Sequence, residues 1–138
     1  MGQKAELIDQ VLNNQTLVAI TINRKGGTLD IYPGRTSDVV IFHRNINFHP
    51  ERPEEVRWVV DGLKKGEKIV IEAKDGYRGM GVFPQDVYEI EHPSNSIRSG
   101  PIQKGLPDFD KWRYSVTLVG SADPVAVKDP DVDIKENP

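Results

Sequence analysis

The stretch EEVRWVVDGLKKGEKIVIEAKDG, residues 54–76, decides how this chain folds. Two readings compete over its first half. Val56, Val59, Val60 and Leu63 fit one face of a helix starting at Pro53, with Glu54 and Glu55 in its first turn. Val56, Trp58 and Val60 fit one face of a strand, where side chains alternate between the two sides. Three β-branched valines flank the tryptophan, and Asp61-Gly62 and Lys65-Gly66 interrupt the chain at close intervals, so the strand is the better reading. The second half alternates more plainly: Ile69 and Ile71 lie on one side, Lys68, Val70 and Glu72 on the other.

Working outward in both directions gives more of the same. TLVAITINRKGG (residues 16–27) reads as a strand with Leu17 and Ala19 alternating before a shift to Ile20 and Ile22, closed by the turn Lys25-Gly26-Gly27. TLDIYPG is a short strand ended by Pro33-Gly34. SDVVIFHRNINFHP (residues 37–50) is a longer strand ended by Pro50. On the other side, a glycine-rich loop, GYRGMGVF, leads into Val87, Tyr88 and Ile90. SNSIRSGPIQKGLPDFD (residues 94–110) reads as a long polar connection. In KWRYSVTLVGS, Trp112, Tyr114, Val116 and Leu118 share one strand face. The chain closes with Val132 and Ile134 alternating against acids. Leu7, Ile8, Val11 and Leu12 recur at helical spacing and predict a short N-terminal helix before Asn13-Asn14, with a strand as the other reading.

A chain of 138 residues with 37% apolar residues, twelve glycines and ten prolines suits one domain built of short strands and turns. Charge is nearly balanced at -3 with both signs interspersed, which does not resemble the basic footprint of a nucleic-acid binder or of a protein recruited to anionic membranes. Cysteine is absent, which excludes disulfides, thiolate nucleophiles and cysteine-ligated metals. The first twenty residues lack a basic start followed by an apolar run, and no apolar stretch nears a membrane span, so the cytoplasm is the expected compartment. The expectation is a single domain over residues 1–138. It is all-β, an antiparallel Greek-key β-sandwich of seven to eight strands.

The order FHRNINFHP, VRWVV, KIVIEAKDG, WRYSVTL and a terminal DPDVDI strand resembles the cupredoxin-like sandwich over most of the chain. An immunoglobulin-like sandwich fits nearly as well, with Tyr114 two residues before Val116 where such domains carry a corner tyrosine. The cupredoxin resemblance implies a copper-ligating Cys, a His and often a Met around the loop after the penultimate strand, with another His upstream. This sequence departs from that pattern: the cysteine position falls near Val116 or Leu118, and no His or Met follows His92. The blue-copper site and electron transfer therefore do not carry over.

The remaining candidates are few. In HRNINFHP, His43, Asn45, Asn47 and His49 would share one strand face, but positions six apart on a straight strand lie roughly 20 Å from each other. Two such histidines cannot reach one metal ion, whose ligands sit at about 2 Å. The stretch reads as a strand with a wet face. A metal site made by His43 or His49 with His92 and a carboxylate such as Glu89 or Glu91 is the alternative. Asp129, Asp131 and Asp133 alternate as a calcium loop begins, yet Ile134 stands where that loop needs glycine, so an edge strand guarded by outward acids is preferred. Gly76–Phe83 carries Tyr77, Arg78 and Met80 on a backbone with glycines at 76, 79 and 81. No apolar alternation ties it to a core, and these residue types suit recognition. No hydrolase elbow or phosphate loop is present, since GPIQKGL carries Leu106 where a P-loop needs lysine. The expected function is a non-enzymatic binding or protein-interaction module without cofactor, contacting a protein partner through Tyr77, Arg78 and Met80.

Overall fold

A computed structural model describes residues 15–32, 39–43, 55–102, 111–122 and 125–136. The expected N-terminal helix lies outside the described residues, as do the Pro33-Gly34 turn and residues 44–50. The described residues hold no helix and form nine strands: β1 (Gln15–Asn23), β2 (Thr28–Tyr32), β3 (Val39–His43), β4 (Glu55–Asp61), β5 (Lys68–Ala73), β6 (Val87–Glu91), β7 (Ser96–Arg98), β8 (Lys111–Val119) and β9 (Asp131–Glu136). Residues 55–61 are a strand, as the Val–Trp–Val alternation required.

The strands make two open sheets. One runs β2-β1-β4-β7, the other β3-β9-β8-β5-β6. Alternation decides which residues meet between them. Val18, Ile20 and Ile22 of β1, Leu29 of β2, and Val56, Trp58 and Val60 of β4 are buried from one sheet. Ile69, Ile71 and Ala73 of β5, Tyr88 and Ile90 of β6, Trp112, Tyr114 and Val116 of β8, and Val132 of β9 are buried from the other. Trp58 lies at the centre of this core. Its ring meets Tyr88 at 5.4 Å and Tyr114 edge-on at 5.6 Å between centroids. Its indole N–H donates to the Tyr114 hydroxyl at 3.3 Å, so its polar atom is satisfied where no water reaches. Tyr114 thus receives this bond across the two sheets.

Four expectations need correction. The sheets are not wholly antiparallel: β1 pairs with β4, and β3 with β9, in parallel. The chain leaves the first sheet after β2 and returns at β4 in the same direction as β1, and parallel neighbours require such a crossover. The inward set of β1 is Val18, Ile20 and Ile22, while Leu17 and Ala19 face outward and are half-buried. Ile20 and Ile22 are inward as expected, but the strand keeps one register throughout, so the expected shift is absent and Leu17 and Ala19 fall on the other face. Residues 94–110 are not connection alone, because Ser96–Arg98 pairs with β4 as β7. Three residues are too short for a periodic signal. Finally, β9 is no edge strand. It lies between β3 and β8, and Asp131 is buried beside Arg113, Nε to Oδ1 3.4 Å.

Chain direction sorts the loops. The β1–β2 turn, the β4–β5 turn, the β6–β7 turn and the β8–β9 loop gather at one end. The β5–β6 loop lies at the other.

Candidate functional site

The first end is closed by an ion pair. The Arg24 guanidinium donates to both carboxylate oxygens of Glu67, Nη2 to Oε1 at 2.6 Å and Nη1 to Oε2 at 2.9 Å. It also donates to the Gly62 carbonyl at 2.6 Å and to Ser121 Oγ at 3.4 Å. Glu67 is buried and accepts the Lys64 amide at 2.9 Å as well. One arginine in the β1–β2 turn therefore ties together the β4–β5 turn and the start of the β8–β9 loop. The hydrogen bonds from Arg24 outweigh the effect of burial and hold the Glu67 carboxyl at about 2, well below its ordinary 4.5. Gly120, at φ 87°, lets the two loops touch, since a Cβ there would overlap the Gly66 carbonyl oxygen. The loop after β8 contributes Ser121 to this cluster.

The opposite end carries the candidate recognition loop. Residues 74–80 form consecutive tight turns. The Tyr77 and Arg78 amides donate to the Lys74 carbonyl at 2.9 and 3.1 Å, and the Met80 amide to the Tyr77 carbonyl at 3.4 Å. The Gly79 amide donates to Asp86 Oδ2 at 3.0 Å, across the mouth of the loop. Gly76, Gly79 and Gly81 all have positive φ, 92°, 78° and 74°. Their role is to turn the chain, a conformation costly to other residues.

The expectation that nothing apolar ties this loop to the core is wrong. Val82 and Phe83 are buried, and the Phe83 ring meets Trp112 edge-on at 5.0 Å. Tyr77 and Met80 are partly buried and pack against the core. Signals for this were present in the sequence: Val82-Phe83-Pro84 is an apolar pair before a proline, short enough to pass for loop. Of the three residues singled out, Arg78 is the one that stands in solvent, 52% exposed, paired with Glu72 of β5. Tyr88 supports the loop from beneath, accepting the Gln85 amide at 3.3 Å and donating to the Ser99 carbonyl. Its burial pushes the phenol up to about 12, so the hydroxyl keeps its proton.

The histidines do not gather. His43 ends β3 opposite Glu136, beyond the Lys111–Asp133 pair at the start of β8. His92 follows β6, whose last residue Glu91 is level with Lys68 and, across β5, with Val119 at the end of β8. Lys111 and Val119 are eight steps apart, roughly 26 Å along a strand, so His43 and His92 cannot share a metal ion. His49 lies outside the described residues. Among the described residues no group of three or more His, Asp or Glu could hold a metal ion. No described helix is long and apolar enough to cross a membrane. No family model, no curated protein and no solved structure matches the chain.

Proposed function

We propose that this chain is a non-enzymatic binding module on a Greek-key sandwich of cupredoxin-like type, using the β5–β6 loop to contact a protein partner. The topology supports that type over the immunoglobulin one. Immunoglobulin-like sandwiches are built of antiparallel sheets, whereas β1/β4 and β3/β9 are parallel. The chain passes from β6 through β7 in the other sheet before β8 returns beside β5, which supports a Greek-key connection.

The observation that carries the binding reading is the built loop. Hydrogen-bonded turns rest on buried Val82 and Phe83 and present an exposed arginine flanked by half-buried Tyr77 and Met80. A preformed surface loses little entropy on binding, and arginine with tyrosine is the composition of interface hot spots. The exposed Arg78–Glu72 pair contributes little to stability and can be exchanged for a partner's carboxylate. The test is affinity capture with the native chain and with Arg78→Glu. A partner held by the first and lost by the second, with unchanged thermal stability, supports the loop. A partner held equally by both moves the contact elsewhere.

A further inference from the structure

The outward face of the four-stranded sheet carries a feature its fold does not need. Along β4 the inward residues are Val56, Trp58 and Val60, so Arg57 and Val59 face outward. Arg57 stands directly opposite Arg98 on β7. Like charges across an antiparallel pair destabilise it. Arg57 Nη2 donates to Ser96 Oγ at 3.2 Å, but its Nε is buried with no hydrogen-bond partner. A desolvated donor left unmet also lowers stability. Arg98 is 59% exposed and approaches Glu55 Oε2 at 3.7 Å. Beside this cationic row lies an apolar one. Leu17 neighbours Arg57 and Ala19 neighbours Val59 across the β1–β4 pair, and all of these are only half-buried.

We propose that this face binds a small carboxylic acid with an apolar body, its carboxylate on Arg57 and Arg98 and its body along Leu17, Ala19 and Val59. Guanidinium presents paired donors that match a carboxylate. The Glu55 carboxylate, 3.7 Å from Arg98, would repel a second negative charge on the ligand, which favours a monocarboxylate. The bound carboxylate lies between two arginines that otherwise repel each other. The surface belongs to the other sheet from the β5–β6 loop, so it stands or falls independently of the recognition reading.

The test is a nuclear magnetic resonance titration of the isotope-labelled whole chain with hexanoate and with phenylacetate, using hexanamide as the uncharged control. Saturable shifts confined to the neighbourhoods of Leu17, Arg57 and Arg98 are expected with both acids and not with the amide. Arg98→Gln, checked for an unchanged fold by its amide spectrum because it faces the buried Glu55, should weaken binding at least ~10-fold, as loss of a charged hydrogen bond does. Arg57→Lys, which keeps the charge but loses the paired donors, should also weaken the binding of both acids. Three results overturn the proposal: no saturable shift with either acid, an equal response to hexanamide, or undiminished binding by Arg98→Gln.

Discussion

Trp58 shows how much one side chain can decide. Its ring is fully buried, and its N–H is satisfied by a tyrosine of the facing sheet. Trp58→Ala should cost about 3–5 kcal/mol, measured by urea unfolding, because the cavity left among Tyr88, Trp112 and Tyr114 cannot collapse. A loss under about 1 kcal/mol would mean that Trp58 is not the centre of the core. Burial of Trp58 was legible from its place in the Val–Trp–Val alternation. Its hydrogen bond was not, because Tyr114 lies 56 positions away and only the packing of the sheets brings the two together.

Two connections differ in what they demand of sequence. In the β5–β6 loop, anchoring and display are separate jobs. Phe83→Ala should cost about 3 kcal/mol by removing a buried ring. Arg78→Ala should change stability by less than about 0.5 kcal/mol, as surface positions do. Similar losses for both would show that the loop is not divided this way. The β8–β9 loop depends on its first residue instead. Gly120→Ala would place a methyl group on the Gly66 carbonyl oxygen while holding a left-handed φ. A destabilisation of at least about 2 kcal/mol is expected from the steric conflict and the strain together, read from the same unfolding curves. The glycines were plain in the sequence, but which of them permits contact between loops was not, since that depends on a neighbour 54 residues earlier.

At the scale of the molecule, the Arg24–Glu67 pair couples three loops to pH. Glu67 titrates at about 2 in the folded chain and near 4.5 when unfolded. Above pH 4.5 the carboxyl is ionised in both states and the pair contributes fully. As pH falls from about 4.5 to about 2, the unfolded chain binds the proton first, and that contribution is lost. Glu67→Gln should therefore be less stable than the native chain at neutral pH, by about 3 kcal/mol for removing one partner of a buried pair. The gap should close through that acid window. A constant gap from pH 7 to pH 2.5 would show that the ion pair is not the source.

The sequence by itself determined the class of fold and the inward face of most strands. Alternation over five or more residues is a local property, and burial follows from it wherever a sheet has one dry side. The same local reasoning failed at β7, too short to alternate, and at the 82–83 anchor, which has no period. Only the tertiary structure decided which strands are neighbours, that two pairs are parallel, and that β9 is interior. It also decided that His43 and His92 stand apart and that Arg57 faces Arg98. These are relations between distant segments, set by how the two sheets close over one core, and no local pattern encodes them.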